Sequence, residues 1–394
     1  MNYTQRPKSR RTAGYKAPKT EKPAPKGETK TDAGEKDEKP ARKKQNIFMK
    51  LRTAIFPVKG DSVTESVRKI VFDIAVVALV ITGGSLLADV FDRWYQVNIV
   101  DAKVEEAYDP EVETIEGVVN LSDEKKEEIL NEKPSILPSF MELYAQNSDI
   151  VGWISVGEAD DYVINLPVMQ SEDNDYYLTR NFERKETKSG AVFADFRNSF
   201  ENGRLSANTV LYGHNIWDQN LGGSGMFAKL TRYYDATING DYDNRLDFYK
   251  ENPTVTFNTL YEKSEWKVFA CVLFNTQEEY GEVYPYTQVH DFDTKEAFNS
   301  YVLDIMDRSV LWTDVDLTYG DEILTLSTCY YPFGKKVDTR CAVFARKVRD
   351  GESAEVDVSK AQINKNSLKF TYQANVEGGE WKGRTWDTSK LLSY

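Results

Sequence analysis

The chain has 394 residues, 40% hydrophobic and 12% aromatic, which allows a substantial core and at most two ordinary domains of about 100–200 residues plus tails. Its net charge of −13 conceals a division: residues 1–69 carry 19 Lys and Arg against 8 Asp and Glu, or +11, and the remainder carries 31 against 55, or −24. This asymmetry argues against one uniformly solvated cytosolic body, and the overall isoelectric point near 5 describes neither half.

Residues 1–46 are rich in Lys, Pro, Glu, Thr and Gly with almost no large aliphatics. They cannot bury enough surface to offset chain entropy, which predicts a disordered basic cytoplasmic tail. Such a tail suits an anionic inner leaflet, at about 1 kcal/mol per nearby Lys or Arg. It lacks the interleaved aromatics of a nucleic-acid partner surface, and no nucleic acid is expected. After a juxtamembrane segment, 47–69, comes the most apolar stretch, residues 70–88, with Asp73 as its single charge. About 20 apolar residues at 1.5 Å each cross a hydrocarbon core of roughly 30 Å, which predicts a transmembrane signal anchor over 70–91. A buried core helix is the alternative. Asp73 stands four residues after Lys69, on the same helix face, and is expected to pair with it at the basic end. A cleaved signal peptide fits worse, because 69 residues precede the apolar run. The positive-inside rule then places residues 1–69 in the cytoplasm and the bulk of the chain outside the cell membrane, on a single pass.

Residues 92–138 read as an acidic extracellular stalk, and globular character begins at Pro138. Ser139 and Glu142 have the spacing of a capping box opening a short helix. Short strands follow at 151–156, 162–169, 190–194, 209–212, 254–260, 265–274, 322–328 and 341–347. Eight of them with few helices between predict a mainly β domain, an antiparallel barrel or sandwich. One helix interrupts them, with Asp293 as cap, Glu296 three residues on, and Phe298, Tyr301, Val302 and Ile305 on one face. It lies in a long connection, 276–320, of a length more often functional than idle. The final stretch, 350–394, is a C-terminal extension without an assigned role. Within it 367–375 reads as a further strand, and Trp381 and Trp386 as residues able to pack back on the body.

Chemistry-bearing residues are few: three cysteines, Cys271, Cys329 and Cys341, and two histidines, His214 and His290. An odd number leaves at least one thiol free. Cys271 and Cys341 sit in apolar runs and read as small core hydrophobes. Cys329 ends the strand Leu324-Thr325-Leu326-Ser327-Thr328 and precedes a turn, Tyr330-Tyr331-Pro332. Arg340 opens the next strand, so a hairpin would bring Cys329 and Arg340 to the same end of adjacent strands. His214 follows a strand in Leu211-Tyr212-Gly213-His214-Asn215. A thiol nucleophile needs a proton carrier and an oxyanion partner, and these three residues supply the types. His290, beside Asp291 in an acidic loop, reads as solvated. Gly222-Gly223-Ser224-Gly225 lacks the Lys-Ser/Thr of a phosphate loop. The carboxylates show no calcium-loop spacing, so no metal and no cofactor is expected.

The Thr325-Leu326-Ser327-Thr328-Cys329 run, the Arg eleven residues on and Tyr212-Gly213-His214-Asn215 resemble the catalytic motifs of sortases, membrane-anchored cysteine transpeptidases. Asp149-Ile150-Val151-Gly152-Trp153-Ile154, Asp173-Asn174-Asp175-Tyr176-Tyr177-Leu178, Gly225-Met226-Phe227 and the helix-bearing connection before the Cys strand resemble class B in particular. The resemblance covers about residues 139–349, the catalytic domain. It implies an eight-stranded sortase-type β-barrel with added helices. It also implies Cys329 as nucleophile, His214 as general acid/base, Arg340 as stabiliser of substrate and oxyanion, and Asn174, Leu178, Ser327 and Thr328 as substrate-binding residues. Some relatives carry acidic residues just after the Cys, where Tyr330 and Tyr331 stand here.

What the resemblance implies chemically is cleavage of a C-terminal sorting signal, similar to Asn-Pro-x-Thr, after Thr. A thioacyl-enzyme would then pass the exported protein to an amine of peptidoglycan or of its lipid-linked precursor. At ordinary pKa values about 3% of the thiol and roughly a quarter of the imidazole are charged at pH 7, so the competent pair is a minority population. Arg340 favours both thiolate and oxyanion. The alternatives are a pilin-polymerising sortase using a lysine amine, a papain-type hydrolase, which the order of His and Cys disfavours, and a non-catalytic membrane-tethered binding module.

Overall fold

The structure is a computed structural model that describes residues 47–157, 163–200, 203–218, 223–234 and 244–391. The tail 1–46, Tyr162 of the second expected strand and Gly222 of the Gly-rich loop lie outside the described residues. The chain divides into two compact units, Met1–Ala78 and Leu79–Tyr394.

In the first unit, helix α1 (Ile47–Ile55) precedes the start of α2 (Val63–Tyr95). Ser62 Oγ accepts from the Glu65 backbone N–H at 3.2 Å and opens α2. Among the described residues α2 belongs to the one helix long and apolar enough to cross a membrane, and its apolar side chains, such as Leu79, Val80, Ile81 and Leu87, are exposed. The expected Lys69–Asp73 pair does not form. Lys69 is buried and turns back to Asp61 (2.8 Å) and to the Thr53 carbonyl (2.7 Å), because a buried ammonium gains more from two fixed acceptors than from one carboxylate in an apolar stretch.

The second unit starts with the end of α2, then α3 (Ala102–Glu106), α4 (Asp123–Glu132) and α5 (Met141–Gln146). The segment expected to be a stalk contributes to the core. Val100, Val104, Val118, Ile129 and Ile136 are buried in one cluster with Phe140 and Trp153, and Tyr108 stacks on Trp153 with ring centroids 4.3 Å apart. Its apolar residues are sparse along the sequence, which hides them in an acidic composition, but the fold gathers them on one side. The expected capping box is absent. Ser139 Oγ is buried without a hydrogen-bond partner, in a 3-10 turn ahead of α5, and Glu142 instead accepts from the Asn120 backbone N–H (3.2 Å) and side-chain amide (2.9 Å).

The strands are β1 (Ile150–Val156), β2 (Ile164–Met169), β3 (Val192–Ala194), β4 (Asn208–Tyr212), β5 (Asn215–Asp218), β6 (Gly223–Met226), β7 (Thr254–Thr259), β8 (Glu265–Asn275), β9 (Leu311–Trp312), β10 (Ile323–Cys329), β11 (Thr339–Lys347) and β12 (Gln362–Ile363). Eight of them, at the expected positions, close a barrel in the order β1-β2-β3-β4-β10-β11-β8-β7. Closure leaves no unpaired edge. The barrel is not wholly antiparallel: β2 pairs β3 and β4 pairs β10 in parallel. Across the chain helix exceeds strand, 36% against 20%, so "mainly β" describes the barrel and not the whole.

The remaining helices are α6 (Asn244–Glu251), α7 (Lys295–Arg308) and α8 (Thr371–Glu377). Strands β8 and β11 are apolar on both faces because the barrel interior takes one side and α7 the other. Phe298, Val302 and Ile305 of α7 are buried in one cluster with Phe269, Val272 and Phe344. The cap of α7 is Thr294, which accepts from the Ala297 backbone N–H at 3.1 Å, and not Asp293. The expected strand at 367–375 is a helix, α8, from Thr371. A further strand needs an edge and the closed barrel offers none. Instead Gln373 is buried against the Tyr234 hydroxyl (2.7 Å). Of the two tryptophans, Trp386 packs back, its Nε1 donating to Asp307 at 3.0 Å, whereas Trp381 stays exposed.

Candidate active site

Strand register sets the first relation. In the antiparallel β10–β11 pair Cys329 stands directly opposite Arg340. Parallel pairing of β4 with β10 places Tyr212 opposite Ser327, so the turn after β4 leaves the barrel beside the end of β10. Three hydrogen bonds tie that turn to the cysteine strand. Gly213 N–H donates to the Ser327 carbonyl (3.2 Å), Thr328 Oγ1 donates to the Gly213 carbonyl (2.7 Å), and Asn215 Nδ2 donates to the Cys329 carbonyl (2.7 Å). His214 lies between the two anchored residues. Its Nε2 is 2.8 Å from the Leu178 carbonyl, which only accepts, so Nε2 carries the hydrogen and Nδ1 is left for exchange.

Cys329, His214 and Arg340 line one open cavity of about 600 Å³, with Asn174, Leu178, Ser327 and Thr328 also in its wall. The structure therefore brings together all seven residues singled out in the sequence. Their surroundings differ. The Leu178 side chain is exposed, whereas Ser327 and Thr328 are buried. The Ser327 hydroxyl is engaged by Tyr286 at 2.8 Å and that of Thr328 by Gly213. Asn174 is fixed through both amide atoms, donating to Asp195 (3.0 Å) and accepting from the Phe196 N–H (3.0 Å).

Several groups at the site carried no signal in the sequence. Asp338 binds Arg340 Nη1 and also accepts from Thr276 Oγ1 (2.9 Å). Burial works against the charge of Asp338, but the Arg340 and Thr276 bonds hold its carboxyl below the usual carboxylate range. Tyr331 lies near the Cys329 thiol, and burial together with that neighbour pushes its phenol up to about 12. Asp195, fully buried behind the cavity, gathers Arg197 (2.7 Å), the Tyr212 hydroxyl (2.8 Å) and Asn174. Burial opposes its charge, yet these donors bring its carboxyl down to about 2. Asp338 had one available sign, its position two residues before Arg340 where the chain enters β11.

His290 is not solvated. It is partly buried, with Nδ1 accepting from Asn198 Nδ2 at 3.1 Å and Nε2 3.9 Å from Asp195, and burial lowers its pKa. It joins the Asp195 cluster and not the cavity wall. Cys271 and Cys341 are buried and not joined in a disulfide, with sulfurs 3.8 Å apart.

No protein-family model matches the chain. Among curated proteins it is 32% identical to sortase B of Staphylococcus aureus over 194 residues, 49% of this chain and 68% of that protein. It is also 32% identical to sortase B of Listeria monocytogenes over 188 residues, 48% of this chain and 65% of that protein. Solved structures similar to it include a Staphylococcus aureus sortase B–substrate complex (26% identity, 64% of this chain and 97% of that one, TM-score 0.47). Another is sortase B of Clostridium perfringens (29% identity, 52% and 98%, TM-score 0.42).

Proposed function

This chain belongs to the sortase B family, and from that premise we propose that it is a membrane-anchored cysteine transpeptidase in which Cys329, His214 and Arg340 carry the chemistry. The observation that supports the reading most is the pairing of Cys329 with Arg340 across β10 and β11, with His214 in the wall of the same cavity. The cavity is open, and its lining includes the apolar or aromatic side chains of Leu178, Val283, Tyr284 and Pro285.

In this mechanism the Cys329 thiolate attacks the carbonyl carbon of the Thr in an Asn-Pro-x-Thr-like signal. A C–S bond forms, and the negative charge on the carbonyl oxygen is met by Arg340. Nδ1 of His214 takes the proton of the Cys329 thiol while Nε2 stays held by Leu178, and the imidazolium so formed returns that Nδ1 proton to the departing amine as the C–N bond breaks and the carbonyl re-forms. The thioacyl-enzyme is then opened by an amine that His214 deprotonates, and the thiolate leaves. Peptidoglycan or its lipid-linked precursor supplies that amine in our reading. A single N-in pass keeps the barrel at the outer face of the membrane, where exported substrates appear.

The test is to incubate the full chain in detergent with Asn-Pro-x-Thr and Leu-Pro-x-Thr peptides, with and without amine acceptors, and follow products and protein mass. Cleavage of the Asn-Pro-x-Thr peptide, a thioacyl adduct on Cys329 and amine-dependent product are expected. Absence of both cleavage and adduct overturns the proposal.

A further inference from the structure

Arg340 has five N–H donors in a planar fork, and the structure divides them. Nη1 is taken by Asp338 and by the Thr339 carbonyl (3.0 Å). Among the described residues Nε and Nη2 have no protein partner, and Arg340 is part of the cavity wall. Asp338 is itself held from several sides. Its backbone N–H donates to Gln277 Oε1 (2.8 Å), its backbone carbonyl accepts from the Thr276 N–H (3.1 Å), and Thr276 Oγ1 lies 2.9 Å from both that carbonyl and Oδ2. Thr276 and Gln277 directly follow the end of β8, which pairs with β11, so the carboxylate is braced by the neighbouring strand.

We propose that Asp338 is a positioning residue for Arg340. It fixes one arm of the guanidinium so that the other faces Cys329 and the substrate carbonyl, and its negative charge tempers the pull of Arg340 on the thiolate. The inference rests on the roles given above to Cys329 and Arg340. Two effects of opposite sign follow. An anchored fork meets the developing oxyanion without reorganisation, which favours turnover. A carboxylate paired with the cation leaves less net positive charge to stabilise the resting thiolate. Removing the carboxylate alone should make Cys329 easier to ionise and yet the enzyme slower, a combination that simple loss of packing does not produce.

The other groups facing Cys329 do not confuse the reading. Tyr331 in the turn and Tyr286 in the segment before α7 are both pushed up to about 12, chiefly by burial, and stay neutral in the assay range. Arg340 stays charged. His214 is common to all variants compared, and Tyr331 interacts with both Asp338 and Cys329, so the difference between variants reports position 338 together with that contact.

The experiment measures the pH dependence of iodoacetamide alkylation at Cys329 in the full chain in detergent, by intact mass; Cys271 and Cys341 are fully buried. It is paired with peptide-cleavage kinetics. For Asp338→Asn the alkylation midpoint is expected to fall by roughly half a pH unit or more, with kcat/KM down about tenfold, mainly in kcat. Asp338→Glu is expected to recover both toward wild type. An unchanged midpoint in a folded Asp338→Asn protein, or Asp338→Glu performing no better than Asn, overturns the proposal. If Asp338→Asn does not fold, Thr276→Val, which removes only the hydroxyl brace, is expected to slow turnover in the same direction by a smaller factor; unchanged turnover there overturns it. The alkylation arm needs no peptide cleavage, so failure of the transpeptidase reading and failure of this one are separable.

Discussion

A thiol, an imidazole and a guanidinium line one cavity here because register and hydrogen bonds to neighbouring residues hold each in place, and not because they are close in sequence. Cys329 is held through its carbonyl by Asn215, and His214 through Nε2 by Leu178. Cys329→Ala and His214→Ala are each expected to lower peptide cleavage by at least about 10³-fold. Cys271→Ala should leave kcat unchanged and lower stability by about 1–2 kcal/mol, because it empties a packed core position; cleavage kinetics beside thermal melts check all three. Asp195 makes a pH prediction. Its folded-state value of about 2 lies below its ordinary 3.8. Its stabilisation, about 2 kcal/mol, is therefore complete above about pH 4 and is lost as pH falls through 2. Urea midpoints from pH 5 to 2 should show that window in the wild type and a flatter one in Asp195→Asn. The proposed nucleophile and its partners could be picked out because Cys and His are scarce and Arg340 stands a hairpin away. Asp338, Tyr331 and Asp195 were not, because an acidic or phenolic residue in a chain with 63 carboxylates and 23 tyrosines carries no signal until register selects it.

At the scale of elements, close approach decides which residues the turns accept. A Cβ at Gly213 would sit 2.6 Å from the Phe227 ring, so Gly213→Ala has to displace either that ring or the His214 turn. We expect kcat/KM to fall about tenfold or more with a smaller change in melting temperature, read from kinetics and calorimetry on the same sample. Gly190 has φ +62°, and a Cβ there would lie 2.6 Å from the Leu178 carbonyl that holds His214. Gly190→Ala is expected to destabilise by about 1–3 kcal/mol and to weaken cleavage as well. The strands themselves were readable: apolar runs of β-branched and aromatic residues bounded by turn residues mark all eight in the barrel. Their directions were not, since the parallel β2–β3 and β4–β10 pairs depend on long connections whose sequences do not say which way the next strand runs. Likewise 367–375 has strand-like composition, but the closed barrel offers it no edge and its second half is helical.

For the whole molecule, the segment 100–138 is part of the body that folds with the barrel. Val100, Val104, Val118, Ile129 and Ile136 bury their side chains with Phe140 and Trp153. A soluble fragment beginning at residue 139 is expected to aggregate or to melt well below one beginning near residue 96, because it exposes that face; expression yield and melting temperature of the two fragments check it. The sequence by itself determined the apolar span, the eight strands and which thiol is the candidate nucleophile, because each is written in local composition, periodicity or scarcity. Tertiary structure alone decided that an acidic segment is core, that two strand pairs run parallel, that His290 belongs to a buried carboxylate cluster, and that Asp338 grips Arg340. Those relations join residues far apart in the chain, and they exist only once barrel closure and strand register have set which side chains meet.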